Sequence, residues 1–244
     1  FNLYLKGRTR AAAAGADGIA VVADEQTGSR GRLNREWVAP SGGVWLSLAV
    51  RPDVPPARAP LFTLAAAVAT AEACRDAGVD AHIKWPNDVL VGTAASATDT
   101  ERDGRGGRKV AGVLTEMEGE ADRVSWLVAG IGVNANVAPD ALPVGAVALS
   151  AKAGARIDRR RFAATLLERF AALTETADRM DRILPAWRNL ASTLGRRVRV
   201  DTPSGPVTGT AVDVEPPGAL VVETADGTQR VHAGDCEHLR DAGK

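Results

Sequence analysis

The sequence has no excess of charge of either sign. Its 30 lysine and arginine residues are balanced by 30 aspartate and glutamate residues over 244 positions. Domains that bind nucleic acid usually carry a basic excess, so this neutrality argues against a general nucleic-acid binder. Any positive field in this protein must therefore be local.

Cysteine is scarce, and long apolar runs are missing. The two cysteines, Cys74 and Cys236, stand far apart without a metal-like spacing, which argues against a disulfide framework and favours a reducing cytoplasm. No apolar run approaches the roughly 20 residues that span a bilayer, and no signal peptide is visible. We therefore expect a cytoplasmic protein that does not enter the membrane.

Several common catalytic patterns are also missing. The three histidines, His82, His232 and His238, share no ligand spacing, so no metal site is predicted. The sequence contains no Walker P-loop, no strand-bound GxGxxG and no recognisable Ser/His/Asp order. The chemistry must lie in other motifs.

Residues 1–192 have the pattern of an α/β domain with a mixed sheet and helices on one face. Helices are predicted at the end of an alanine-rich segment (8–17), at 61–77 with Gly78 as its stop, after the N-cap Asp158, and near 178–192, where Pro185 bends or weakens the helix. Strands are predicted at 18–26, 42–50, 81–91, 109–118 and 123–136. Residues 92–108 lack apolar periodicity and are predicted to form a surface loop.

The pattern changes near Gly195. Short β-type segments follow, separated by the turn signals "PSG", "PPG" and "DG". We therefore predict a second domain over residues 193–244, folded as a small β-barrel.

The loop Gly28–Trp37, "GSRGRLNREW", concentrates positive charge in a neutral protein. Arginine offers a planar fork of donors that matches phosphate oxygens, and Gly31 lets a ligand approach the backbone closely. Trp37 could present a flat face to a base. The loop could equally be a solvated basic turn with Trp37 in the core.

Three further motifs carry polar residues beside predicted strands. "KWPND" (84–88) and "GIGVNAN" (130–136) offer amide and carboxylate groups at turns, and "KVAGVL" (109–114) begins a strand with Lys109. Each also has an ordinary structural explanation: a turn, a β-bulge or a solvated lysine at a strand end.

Together and in this order, the four motifs and the β-rich C-terminal segment resemble the biotin protein ligases. The resemblance covers nearly the whole chain, and "KWPNDVLV" followed by "KVAGVL" is its most specific part. It implies a class II synthetase-like catalytic domain and an SH3-like C-terminal domain. It also implies that biotin and MgATP form biotinyl-5′-AMP, whose acyl group passes to a lysine of a biotin carboxyl carrier protein.

The resemblance also implies roles for individual residues. Arg32 and Lys109 are expected to act on the biotin carboxylate and the α-phosphate. Asp88, and with it Asn87, is expected to orient an arginine or the incoming carrier lysine. The expected biotin-binding residues are Gln26, Arg30, Gly31, Arg32, Lys109, Gly112, Gly130 and Gly132, and the expected ATP-binding residues are Arg30, Arg35, Trp37 and Asn134.

The sequence departs from the family pattern at three places. Ser29 and Asn34 replace loop glycines, residues 92–108 form an insertion, and only Asn2 could correspond to the family's upstream Ser-Thr-Asn element.

A weakly active or non-catalytic biotin binder is therefore an alternative, as is lipoate or octanoyl transfer. Part of a biotin-responsive repressor is a third alternative. Since no winged helix-turn-helix precedes the catalytic region here, we do not expect this chain alone to bind DNA. A homodimer is compatible with the family.

Overall fold

The computed structural model describes residues 17–32, 35–92 and 107–239, with the side chains of residues 177 and 178 excepted. The predicted helix at 8–17 lies almost wholly outside these residues, as do Asn2, Asn34 and most of the predicted loop at 92–108.

The first sheet contains β1 (Ile19–Ala23), β2 (Val44–Val50), β3 (Ala81–Lys84), β4 (Asp88–Val91), β5 (Arg108–Gly119) and β6 (Val124–Val133). The second contains β7 (Arg197–Thr202), β8 (Gly205–Glu215), β9 (Ala219–Thr224), β10 (Gly227–Val231) and β11 (Asp235–His238).

The helices are α1 (Pro60–Asp76), α2 (Leu149–Ala153), α3 (Arg159–Thr174), α4 (Ala177–Met180) and α5 (Ile183–Leu190). Two short 3₁₀ turns lie at Pro56–Arg58 and Pro139–Ala141. Asp158 caps α3 as predicted, its carboxylate accepting hydrogen bonds from two backbone N–H groups of the first turn. The segment predicted as one helix near 178–192 forms the two helices α4 and α5, and Pro185 lies in the first turn of α5, where a proline is tolerated.

The first sheet has the order β1-β2-β6-β5-β4-β3, and every strand pair in it is antiparallel. The α/β class is confirmed, but the prediction of a mixed sheet is wrong. The reason is local. The predicted strand at 81–91 folds back at Trp85–Asn87 into the antiparallel pair β3 and β4, and β5 continues to β6 through a short turn. Antiparallel neighbours need only short connections, so the sheet requires no helical crossover between these strands.

Helix α1 is buried on nearly all sides because it lies between the sheet and two other helices. Its six alanines allow close approach to β3 and β5. On its other side Phe62 meets Phe170 of α3 at a ring-centroid distance of 6.3 Å, and Arg169 bridges Glu72 and Asp76 at 2.7 and 2.5 Å. One face of the sheet is thereby closed, and the opposite face remains available for a site.

The second sheet has the order β10-β9-β8-β7-β11 and is antiparallel throughout. The predicted strands are present, but β10 and β11 lie at opposite edges, so within the described residues the sheet is open and the predicted closed barrel is wrong. Its buried face joins the same hydrophobic core as α1, to which β7 contributes Val198 and Val200. Trp85 also donates a 3.0 Å hydrogen bond from Nε1 to the carbonyl oxygen of Gly218 in the "PPG" turn. The two sheets therefore share one core.

Candidate active site

Four strands place one row of residues on the sheet face opposite α1. Trp45 pairs with Gly132, Gly132 with Gly112, and Gly112 with Asp88. Directly paired residues project their side chains from the same face of a sheet. Leu46, the neighbour of Trp45, projects into the core beneath α1, which places the row on the other face. Three motifs that are separate in the sequence thus meet in one line.

A second row lies beside the first and contains Ser47, Gly130 and Leu114. Because three of the positions in the two rows are glycines, a strip of the sheet carries no side chains, and a cavity of about 680 Å³ lies above it. That volume is within the range of small-molecule sites. Of the predicted site residues, the cavity is lined by Gln26, Arg30, Gly31, Arg32, Arg35, Trp37, Asn87, Asp88, Lys109, Gly112, Gly130 and Gly132.

Asn134 is the one predicted site residue that does not line this cavity. It is buried, and its backbone N–H donates a 2.8 Å hydrogen bond to the carbonyl oxygen of Val110. Its own carbonyl oxygen accepts from the backbone N–H of Leu149 at 2.7 Å. A contact between Asn134 and the nucleotide remains a prediction.

Lys109 reaches the cavity because β5 contains a bulge. Consecutive residues of β4 pair with Ala111 and Lys109, so Val110 is an extra residue in β5. Side chains alternate along a regular strand, and without the extra residue Lys109 and Gly112 would project from opposite faces. The bulge therefore places the lysine ammonium on the same face as the glycine strip.

The Lys109 ammonium contacts a carboxylate and an indole ring. Nζ lies 2.6 Å from Oδ1 of Asp88, and both side chains are about one-third exposed or less. Nζ also lies 5.0 Å from the centroid of Trp37, within the range of a cation–π interaction. The lysine is thus held at the cavity wall by Asp88 and Trp37.

Trp37 packs directly on the glycine strip. A Cβ atom added to Gly132 would lie 2.8 Å from Nε1 of Trp37, and one added to Gly112 would lie 3.0 Å from Cζ3. The ring also meets Trp45 edge-on at 6.4 Å. Its buried Nε1 has no hydrogen-bond partner among the described residues. The indole thus occupies space that the glycines provide.

The described parts of the arginine loop, residues 28–32 and 35–37, are joined to each other by hydrogen bonds. Ser29 donates a 2.7 Å hydrogen bond from Oγ to the carbonyl oxygen of Trp37, and the N–H of Trp37 donates to the carbonyl oxygen of Ser29 at 3.2 Å. The N–H of Gly31 donates to the carbonyl oxygen of Arg35 at 2.7 Å. Ser29, a departure from the family glycine, therefore ties the two arms of the loop together. Isolated antiparallel bridges join Gln26 with Ala39 and Arg30 with Glu36.

Arg32 extends from this loop to two other parts of the chain. Nη1 donates to Oδ1 of Asn87 at 3.0 Å, and Nη2 donates to the carbonyl oxygen of Gly234 at 3.0 Å. Burial lowers the pKa of the Arg32 guanidinium, and nearby carboxylates raise it in part. An arginine remains protonated under such conditions, so a partly desolvated positive charge stands at the cavity.

Arg35 forms a salt bridge with Asp235 at the start of β11. Asp235 also lines the cavity, and no motif in the sequence signals it, because about 200 positions separate it from Arg35.

Ser47 and Leu114 line the cavity as well and were not predicted. Ser47 did leave a signal in the sequence: it is the single polar residue within the apolar strand "VWLSLAV".

The arrangement is suited to holding two anions side by side. Lys109 and Arg32 contact the consecutive residues Asp88 and Asn87, and both cations line the same cavity. Cationic donors fixed in a partly dehydrated site stabilise negative charge that develops during a reaction. Beside them, the glycine strip offers backbone groups and room for a small apolar body.

The described residues lack two further kinds of feature. No group of three or more His, Cys, Asp or Glu side chains is placed there to hold a metal ion. No helix among the described residues is long and apolar enough to span a membrane.

Two parts of the chain match known protein families. Residues 4–134 match the Biotin/lipoate A/B protein ligase family, and residues 193–239 match the Biotin protein ligase C terminal domain. The chain is 36% identical over 231 residues to the bifunctional ligase/repressor BirA of Bacillus subtilis, covering 91% of this chain and 66% of that protein. It is 34% identical to the biotin--[acetyl-CoA-carboxylase] ligase of Mycobacterium tuberculosis, covering 94% of this chain and 83% of that enzyme.

A solved structure shares the fold as well. The biotin protein ligase of Aquifex aeolicus in complex with biotin and ATP superposes with a TM-score of 0.73 at 25% identity, covering 93% of this chain and 91% of that one.

Proposed function

Because this chain belongs to the Biotin/lipoate A/B protein ligase family, we propose that it is an ATP-dependent biotin protein ligase. The observation that carries the proposal is the convergence of Lys109 and Arg32 on the consecutive residues Asp88 and Asn87, next to a strip of glycines. The names of the relatives and the biotin and ATP bound in the Aquifex enzyme support the same reading. The division into a catalytic domain at 1–192 and a C-terminal domain at 193–244 belongs to this proposal.

The reaction has two steps. A carboxylate oxygen of biotin attacks the α-phosphorus of ATP, an O–P bond forms, and pyrophosphate leaves. The amine of a carrier-protein lysine then attacks the acyl carbon of biotinyl-5′-AMP, an amide bond forms, and AMP leaves. Both attacks require the reacting groups to be held together in a fixed orientation.

The cations solve the electrostatic problem of the first step. Two anions must meet, and Lys109 and Arg32 offset their repulsion and stabilise charge on the α-phosphate. Asp88 holds the Lys109 ammonium in place and is positioned to receive a proton from the carrier lysine during the second step. Gly112, Gly130 and Gly132 leave room for the biotin rings, which enter as Trp37 moves from the strip.

Nucleotide and metal binding complete the proposal. Arg30 and Arg35 contact ATP phosphates from the loop, while Trp37 and Asn134 contact the nucleoside. Mg²⁺ enters as its complex with ATP, since proteins commonly bind this cation together with substrate phosphates. It neutralises phosphate charge, and the side chains of this chain act on the carboxylate and the α-phosphate.

The test incubates the protein with MgATP, labelled biotin and an apo biotin carboxyl carrier domain. We expect biotin-dependent pyrophosphate release and transfer of the label to one carrier lysine. Lipoate and octanoate, offered separately, should give neither. No label on the carrier and no pyrophosphate release would refute the ligase proposal, whereas faster turnover of lipoate would move the protein to another branch of the family.

A further inference from the structure

The arginine loop is attached to the C-terminal sheet at two points. Nη2 of Arg35 forms a salt bridge with Oδ2 of Asp235, and Nη2 of Arg32 donates to the carbonyl oxygen of Gly234 at 3.0 Å. Gly234, which immediately precedes β11, and Asp235, its first residue, thus hold two side chains of a loop that belongs to the first sheet. We call Gly234–Asp235 the corner.

The corner is a fixed point of the fold. A Cβ atom added to Gly234 would lie 2.6 Å from Cγ1 of Val200 and 2.8 Å from the carbonyl oxygen of Asp201, so the backbone is packed tightly against β7. Asp235 pairs with Asp201 in the β11–β7 ladder, and Val200 is fully buried in the shared core. A rigid sheet therefore sets the position of the Asp235 carboxylate.

The charges at the corner keep this carboxylate ionised. Burial raises the pKa of Asp235, but the hydrogen bond and charge of Arg35, together with the charges of Lys84 and Arg32, more than offset burial and lower it below its usual value. Asp235 is therefore an anion at neutral pH. It faces a group of three cations.

We propose that Asp235 is a positioning residue that sets the arginine loop over the cavity through Arg35. This inference rests on the proposed ligase function for its catalytic consequence, while the structural consequence stands without it. A guanidinium has five N–H donors, and the salt bridge uses one nitrogen, which leaves donors of Arg35 for a ligand phosphate. The C-terminal sheet then acts in the first chemical step without touching the substrate.

An exposed salt bridge could instead be a minor surface contact, since many contribute little to stability. The two readings differ in what they predict. If the salt bridge is only a surface contact, its removal leaves both the hydrogen exchange of the loop and the KM for ATP unchanged. A positioning residue controls both, and its effect falls on the KM for ATP more than on kcat.

The first measurement is hydrogen exchange of the peptide 28–37 in the full-length protein, followed by mass spectrometry. We expect faster exchange at the loop amides in Asp235→Asn than in the unmodified protein, and substantial recovery in Asp235→Glu. Asp201→Asn is the matched control, because Asp201 lies opposite Asp235 on the same sheet and forms its salt bridge with Arg199 of β7. Arg35→Gln breaks the same bridge from the loop side and covers the case in which Asp235→Asn does not fold.

The second measurement is steady-state pyrophosphate release. For Asp235→Asn we expect the KM for ATP to rise about tenfold with a smaller change in kcat, in line with loss of a charge-assisted hydrogen bond. If hydrogen exchange of the loop in Asp235→Asn is as slow as in Asp201→Asn, the proposal is overturned, whatever the kinetics. If the unmodified protein releases no pyrophosphate but Asp235→Asn still loosens the loop, the ligase proposal fails and the positioning role stands.

Discussion

Lys109 owes its place at the cavity to one neighbouring residue. The extra residue Val110 turns the lysine to the face of the glycine strip, and the backbone N–H of Asn134 bonds to the bulged residue. Bulges often re-aim a side chain next to an active site. Here the bulge brings an ammonium to within 2.6 Å of Asp88.

Removal of this ammonium should abolish most of the adenylation activity. We expect Lys109→Ala to lower the rate of biotin-dependent pyrophosphate release by about 10²–10³-fold, the usual loss when a preorganised donor is removed from a developing negative charge. Arg32→Ala should have an effect of similar size. The control is Lys152→Ala, an exposed lysine of α2. Retention of the full rate in either site variant would disprove the role assigned to that residue.

The contact between Trp37 and Gly132 can be tested by a double-mutant cycle. A methyl group on Gly132 collides with the indole, and we expect Gly132→Ala to lower the free energy of unfolding by about 1–3 kcal/mol. The same substitution in a Trp37→Ala background should cost far less, since the colliding atoms are gone. Urea denaturation measures all four proteins. Equal costs in both backgrounds would mean that Trp37 does not rest on the strip in solution.

At the scale of elements, the arginine loop shows how a short polar segment obtains a defined shape. Its two arms are joined by reciprocal hydrogen bonds between Ser29 and Trp37, so the loop does not depend on a glycine at position 29. The local pattern "GSRGRLNREW" was compatible with a phosphate-binding loop and with a solvated basic turn. It could not reveal that the serine hydroxyl closes the base of the loop.

Loss of the Ser29 hydroxyl should therefore loosen the loop. We expect Ser29→Ala to increase hydrogen exchange at the Trp37 amide and to raise the KM for biotin several-fold, because an unmade hydrogen bond costs on the order of 1 kcal/mol. Ser204→Ala, in the exposed turn between β7 and β8, is the matched control. A KM for biotin and a Trp37 exchange rate equal to those of the control would contradict the role of Ser29.

At the scale of the whole molecule, a buried polar chain joins the two sheets. The backbone N–H of Trp85 donates to Oγ1 of Thr193 at 2.9 Å, and Oγ1 of Thr193 lies 3.0 Å from Nε2 of His238. Burial lowers the pKa of His238 to about 3, assisted by the charges of Lys84 and Arg196. The folded protein therefore holds this imidazole neutral.

This histidine should make stability depend on pH. In the unfolded chain His238 takes up a proton near its ordinary pKa of about 6.5, whereas in the folded protein it stays neutral down to about pH 3. The unfolded state thus binds more protons in that window, and the free energy of unfolding should fall by about 2 kcal/mol between pH 7 and pH 5 from this group.

The measurement is urea denaturation at pH 7 and pH 5 for His238→Gln and for His232→Gln, an exposed histidine that directly follows β10. His238→Gln should lose less stability on acidification than the unmodified protein, and His232→Gln should behave like the unmodified protein. An unchanged pH dependence in His238→Gln would show that His238 is not held neutral by the fold.

The sequence alone identified the family and the α/β class and predicted the residues of the site, because arginine forks, glycine-containing motifs and apolar runs can be recognised locally. Twelve of the thirteen predicted site residues line one cavity. The prediction of a mixed sheet was wrong because apolar runs do not show in which direction neighbouring strands run. The prediction of a closed barrel was wrong because turn signals do not show which sheet edges meet.

Only the tertiary structure decided the contacts between distant segments. Register and sheet packing determine three such features: the bulge at Val110, the packing of Trp37 on Gly112 and Gly132, and the salt bridge between Arg35 and Asp235. Register joins residues that lie far apart in the chain, and no local pattern encodes the partner. The sequence determined which chemical groups the site contains, and the packing of the two sheets into one core determined where they stand.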